Sequence, residues 1–139
     1  MAIKKRVTVV NDNADFLALL AEFLGEEGYD VTTLPKHQGV FEQIKNTKPD
    51  IVICDLMFEN VAAGWALLDM LYLDPETRAI PTILCSAATQ YVTEIAASLA
   101  AKGILWLEKP FELEKLLELL ASVESNSAAK MRNVSSSTK

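Results

Sequence analysis

The chain has little cysteine and almost no histidine. Cys54, Cys85 and His37 are the whole supply. Two cysteines make neither a disulfide framework nor a metal cluster, and a lone histidine in a polar stretch has no partner for one. Every apolar run is broken by charge well before the roughly 18 residues a membrane-spanning helix needs. The basic start, Met1 to Arg6, is not followed by a leader-length apolar stretch, so no signal peptide is expected. Residues 125–139 contain Lys130, Arg132 and Lys139 but no acid. With a net charge of −6 overall, residues 1–124 therefore carry −9. A domain that acidic is a poor holder of a nucleic-acid backbone. No true sequence repeat is present.

What remains is a chain of 139 residues, half hydrophobic and 23% charged. That is the profile of one packed domain in the cytoplasm, with no membrane contact. Five short apolar runs read as strands: Arg6–Val10, Tyr29–Thr33, Ile51–Cys54, Pro81–Cys85 and Ile104–Leu107. Each gap between them is long enough for a crossover helix and too long for a hairpin. VTVV, IVIC and TILC are nearly continuous apolar runs, as suits parallel strands covered on both faces. YDVTT alternates and reads as an edge strand.

The gaps carry helical stripes. Phe16, Leu19, Leu20, Phe23 and Leu24 make the first, stopped at Gly28. Val40, Phe41 and Ile44 make the second. Trp65, Leu67, Leu68, Leu71 and Tyr72 make the third, ended by Asp74-Pro75. Val92, Ile95, Ala96, Leu99 and Ala100 make the fourth, ended at Gly103. Leu113, Leu116, Leu117 and Leu120 make the fifth. The pattern is an α/β fold of (βα)₅ type, an open doubly wound sheet. It spans residues 1–124, and a solvated, disordered Ser-rich tail follows over 125–139.

In such a sheet, function gathers at the carboxyl ends of the strands. Asn11 and Asp12 follow the first strand, Asp55 the third, Ser86 the fourth, and Lys109-Pro110 the fifth. Singly, each has a plain structural reading as a cap, a turn or solvated surface. Together they deliver two carboxylates, an amide, a hydroxyl and an ammonium to one rim. Adjacent carboxylates repel unless a cation lies between them, and oxygen ligands without imidazole or thiolate point to Mg²⁺ or Mn²⁺. Carboxylate, hard metal, hydroxyl and ammonium form a phosphoryl-acceptor arrangement, with Asp as the nucleophile and the others neutralising charge on the phosphoryl oxygens.

With these residues in hand, the chain over residues 4–123 resembles the receiver domain of two-component response regulators. VTVVNDN, DIVICDLM, PTILCSA and LEKPF carry the resemblance, in order and at the expected intervals. It implies a flavodoxin-like five-stranded parallel sheet of strand order 2-1-3-4-5. It makes Asp55 the phosphoacceptor, Asp12 a direct Mg²⁺ ligand, and Met57 a ligand through its backbone carbonyl. Ser86 takes the switch hydroxyl position, Lys109 contacts the phosphate, and a cis bond to Pro110 is expected. Trp106 stands where the family carries a rotating switch aromatic, commonly Tyr or Phe. The implied partner is a histidine kinase or a phosphotransfer protein presenting a phosphohistidine. A downstream protein would read the face formed by the fourth helix, fifth strand and fifth helix, which in this family also serves for dimers. No direct nucleic-acid binding is expected, and the chain is a phosphoacceptor that promotes its own phosphotransfer and dephosphorylation rather than an enzyme. No output domain is expected within the residues after 124, so the readout is expected to be a protein contact or to lie in a further part of the chain.

Departures from the family pattern are equally legible. Asn11 stands where a second acid is usual, which removes a charge from the metal site while leaving an amide able to hold a metal-bound water. The loop after Asp55 reads LMFENVAAG, with Phe58 and Glu59 where a Met-Pro pair is common and Gly64 one residue late. Glu59 is a candidate to offset Asn11, and its alternative is a solvated loop residue. Trp106 is bulky for inward rotation, so a fixed core Trp is its alternative. Cys54 and Cys85 each precede a site residue on neighbouring strands and are expected side by side as reduced thiols. Glu112, Glu114, Lys115 and Glu118 read as a solvated face of the fifth helix.

Two rival readings stay open. One is a receiver-like interaction module that is never phosphorylated, which Asn11 and the altered loop favour and which Asp12, Asp55, Ser86 and Lys109 oppose. The other is a small flavin- or nucleotide-binding enzyme of the same fold. It needs a Gly- or Ser/Thr-rich phosphate loop after the first strand, where NDNADF stands instead. A phosphatase with an Asp nucleophile would want an acid at position 57, where Met57 sits.

Overall fold

The structure, a computed structural model, describes residues 5–11, 13–35, 39–55, 61–87, 90–109 and 111–123. Strands and helices alternate: β1 (Arg6–Val10), α1 (Ala14–Glu26), β2 (Asp30–Leu34), α2 (Val40–Thr47), β3 (Ile51–Asp55), α3 (Val61–Leu73), β4 (Thr82–Ala87), α4 (Gln90–Ala101) and β5 (Ile104–Lys109). All four strand pairings are parallel, and the order is β2-β1-β3-β4-β5. A fifth helix, α5, covers residues 113–123. This is the flavodoxin-like doubly wound sheet, with alternating β2 at one edge as its pattern indicated.

The strands run further than their apolar runs. Asp55, Ser86-Ala87 and Glu108-Lys109 all continue their ladders. Main-chain pairing is indifferent to side-chain polarity, so the ladder carries the polar residues at its carboxyl end. Register also separates the cysteines. Cys54 pairs with Leu84, whereas Cys85 pairs with Asp55. Side chains alternate along a strand, so Cys54 and Cys85 project from opposite faces and are not side by side. Both are buried, and neither is in a disulfide.

Helix α1 begins where the Asn13 side chain accepts the Phe16 N–H at 3.0 Å. It ends in a Schellman-type turn: Tyr29 N–H bonds Leu24 C=O at 3.0 Å, and Gly28 N–H bonds Gly25 C=O at 3.1 Å. Gly28 takes φ +96° there, which a side chain rarely adopts. The buried stripe is Leu17, Leu20 and Leu24. Leu19, expected inside, is 48% exposed, so the helix is rotated about its axis relative to the sequence reading. In α3, Leu67, Leu68 and Leu71 are buried as expected, while Tyr72 lies largely outside with Lys102 over its ring. Val61–Gly64, expected in a loop, form the first turn of α3. In α4, Val92 and Leu99 are buried and Ala100 is exposed. In α5, Leu116, Leu120 and Val123 are buried, and Glu112, Glu114, Lys115 and Glu118 face solvent as expected.

The core against α2 and α3 includes Val10, Val52, Cys54 and Leu84 from the sheet and Ile44, Leu67 and Leu71 from the helices. Each large side chain buried there stabilises the fold by about 1.5–3 kcal/mol. Fixing the strands in this way holds their carboxyl ends in place.

The opposite end of the sheet has a polar staple. Lys45 Nζ lies 3.0 Å from Asp74 Oδ2 and 2.8 Å from Glu76 Oε2. Glu76 N–H donates to Asp74 Oδ1 at 2.7 Å, and buried Thr77 donates to Leu71 C=O at 2.7 Å. A cleft of about 380 Å³ lies beside this staple, lined by Ile44, Lys48, Pro49 and Ile80 among others. Its place at the amino ends of β3 and β4 separates it from the chemistry at the carboxyl rim.

The Glu76 N–H, then the Lys45 ammonium, hold the Asp74 carboxyl below the usual carboxylate range. The Glu76 carboxylate, then Asp74, raise Lys45 above the ordinary lysine range. A carboxylate lowered on folding contributes stability above its unfolded pKa and loses it as pH falls through the folded value. Asp74→Asn should therefore lower urea stability at neutral pH, with the gap to wild type closing in strong acid. A gap that persists unchanged through acid would show that Asp74 acts by packing and not by charge.

Candidate functional site

Among the described residues, Asn11, Asp55, Ser86 and Lys109, all expected at the rim, stand at the carboxyl ends of neighbouring strands. Asn11 follows β1, whose Val10 pairs with Cys54, so Asn11 sits one step on, level with Asp55. Asp55 closes β3 opposite Cys85. Ser86 lies one residue further along β4, opposite Glu108, and Lys109 closes β5 opposite Ala87. Four strands thus end within about three residue steps of one another. Asp12, His37, Met57, Phe58, Glu59, Pro110 and the tail lie outside the described residues.

Asn11 is only 2% exposed. Its main-chain N–H donates to Leu34 C=O at 3.1 Å, tying the end of β1 to that of β2. Its Oδ1 accepts the Asn13 N–H at 2.7 Å. This Asx turn aims the chain into α1, and Asn13 then caps the helix. One carbonyl lone pair of Asn11 is therefore spent on the backbone, and the side chain brings no charge to the rim. The sequence offered the substitution but not this second duty.

Ser86 is buried at 4% exposure, and Lys109 is half-exposed beyond it. Trp106 is half-buried on the strand next to Ser86, and its indole Nε1–H donates to the Ser86 carbonyl at 3.2 Å. Position made Trp106 a candidate. The bond to residue 86 was not foreseen, because it depends on the ring's direction over the sheet.

The donors on the described rim suit a hard cation. Asn11 and Asp55 offer oxygen chemistry, the histidine is remote in sequence, and both thiols are buried in strands. No group of three or more His, Cys, Asp or Glu residues is assembled among the described residues. The remaining expected ligands, Asp12 and Met57, fall outside them.

Comparison with known proteins bears on the same rim. The model of the response regulator receiver domain matches residues 7–121. The chain belongs to that family. It is thus a receiver domain of the kind found in two-component systems, whose members interact with histidine kinases and generally bind Mg²⁺. Chemotaxis protein CheY of Thermotoga maritima is 29% identical over 120 residues, which cover 86% of this chain and 97% of that protein. The probable transcriptional regulatory protein TcrX of Mycobacterium tuberculosis is 28% identical over 80% of this chain, but only 46% of TcrX is covered. The receiver therefore spans nearly all of one relative and under half of the other. Among solved structures, NtrX of Brucella abortus superposes with a TM-score of 0.77 at 26% identity, covering 96% of this chain and 29% of that one. Chemotaxis response regulator CheY4 of Vibrio cholerae superposes at 0.74 over 87% of this receiver and 99% of its own chain. At 23% identity it speaks to the fold alone. Among the described residues, no helix of this receiver is long and apolar enough to cross a membrane.

Proposed function

We propose that this receiver accepts a phosphoryl group from a phosphohistidine of a histidine kinase or phosphotransfer protein onto Asp55. The observation that carries the reading is the strand register, which supports one rim shared by Asn11, Asp55, Ser86 and Lys109. An Asp55 carboxylate oxygen attacks phosphorus, the bond to the histidine nitrogen breaks, and the imidazole leaves with its electron pair. Lys109 supplies positive charge to the transferred oxygens, and Ser86 donates a hydrogen bond to one of them. Asp12, Asp55 and the Met57 carbonyl would hold Mg²⁺ or Mn²⁺, with Asn11 reaching it through water. The cation would neutralise phosphoryl charge. The domain covers residues 1–124, with the Ser-rich tail beyond it. The added charge shifts Ser86 and alters the surface of α4 and β5 that a downstream protein or a second copy reads.

Incubation with acetyl phosphate and Mg²⁺ tests this directly. Intact mass should rise by one phosphoryl group. Absence of labelling, from acetyl phosphate and from phosphohistidine donors alike, would favour the module that signals by binding alone. Ser86→Ala leaves Asp55 and Asp12 in place, so it should keep the label. It removes a hydrogen bond to a charged group worth about 1.5–3 kcal/mol. The change in amide exchange over residues 86–108 on adding beryllofluoride should accordingly shrink. An undiminished change would make Ser86 a core residue with no part in the switch.

A further inference from the structure

We propose that Trp106 is a standing tether between β5 and β4, and not a gate that swings. In the structure the indole is already turned over the sheet toward residue 86, with Nε1 3.2 Å from the Ser86 carbonyl. The register explains why it reaches. Trp106 pairs with Leu84, and Ser86 is the next residue of β4 on the same sheet face. Indole N–H is a donor only, so it needs an acceptor to be buried at low cost, and the main chain of a buried residue provides one. A phenylalanine cannot make this bond.

Ser86 therefore has two attachments with different purposes. Its hydroxyl is the group that would follow a phosphoryl oxygen, and its carbonyl holds Trp106. A displacement of residue 86 carries the indole with it. Rotation of the ring outward instead gives up the bond and returns indole surface to water. The α4–β5 surface of this receiver then changes by a small joint shift of β4, β5 and Trp106, with the aromatic side chain inward in both states. A partner of this face would have to recognise that backbone shift. The response to a phosphoryl mimic rests on the phosphoacceptor reading, whereas the tether in the resting protein does not.

The experiment is solvent exchange at the tryptophan indole N–H groups of the ¹⁵N-labelled full chain. Trp65 and Trp106 give two cross-peaks, and that of Trp106 is the one lost in Trp106→Phe. In the resting protein, the Trp106 indole N–H should exchange about fivefold slower than a free indole, the ratio a net neutral hydrogen bond sustains. With Mg²⁺ and beryllofluoride its cross-peak should move but stay protected. Trp106→Phe keeps an aromatic ring without the N–H, and should speed amide exchange at residues 84–87 in a protein that is otherwise folded. Unprotected exchange in the resting state would overturn the tether. Protection lost on adding beryllofluoride would overturn it in favour of a swinging ring. If beryllofluoride moves no resonance at all, the phosphoacceptor reading fails, and the resting-state exchange alone still decides the tether.

Discussion

Asp55→Asn is expected to reduce acetyl phosphate labelling to background, a loss of about a hundredfold or more. The amide matches the carboxylate in shape but is not an anionic nucleophile. Residue 55 keeps its place at the end of β3 through main-chain pairing, which the substitution leaves intact. Asp12→Ala should also lower labelling, but by less. It leaves the nucleophile and removes only a negative charge that would help to hold the cation. The two variants thus separate bond formation from charge neutralisation. Intact-mass measurement over time gives both rates. Labelling that survives Asp55→Asn would move the acceptor to another residue. An Asp12→Ala variant labelled as fast as wild type would remove Asp12 from the metal site.

The alternation of strands and helices could be read from the sequence because crossover helices leave a plain mark. VTVV, IVIC and TILC are apolar on both faces, and the stretches between them repeat with helical period. Family resemblance then gave the 2-1-3-4-5 order. The ends of the strands were harder to read. Asp55, Ser86 and Lys109 look like loop residues by polarity, yet the ladder includes them. Helix rotation was also concealed. In α1, Leu17, Leu19 and Leu20 are chemically alike, and only packing decides that Leu17 is inside and Leu19 is 48% exposed.

Polar connections between distant residues left no trace that a single sequence could show. Lys45 meets Asp74 and Glu76 across about thirty positions, and nothing local predicts the meeting. Cys54 and Cys85 sat symmetrically before site residues and looked like neighbours. A one-residue offset in register put them on opposite faces. The same limit applied to the rim. The kinds of residue were legible, because strand ends collect function in this architecture. The second uses of Asn11 and Trp106 were not, because each is a contact between a side chain and the backbone of another turn or strand.

Asn11→Asp is expected to tighten Mg²⁺ binding about tenfold or more and to weaken the metal-free protein. The structure makes this a clean test of charge. A carboxylate oxygen can accept the Asn13 N–H at the 2.7 Å that the amide oxygen now spans, so the turn into α1 is retained. What changes is one edge of the side chain, from an NH₂ donor to a charged oxygen. The position is 2% exposed, so the new charge has little water to solvate it. It also lies level with Asp55 in the strand register. Without a cation, burial and like charge both oppose it, at a cost of about 1–3 kcal/mol. With a cation, the same charge becomes attractive, and at an effective dielectric near 20 such attraction is worth several kcal/mol before desolvation is subtracted. The melting temperature of the variant should therefore start below that of wild type and rise more steeply with Mg²⁺. Calorimetric titration gives the affinities independently. Equal or weaker Mg²⁺ binding by the variant would mean that Asn11 belongs to the Asx turn alone, with no place around the metal.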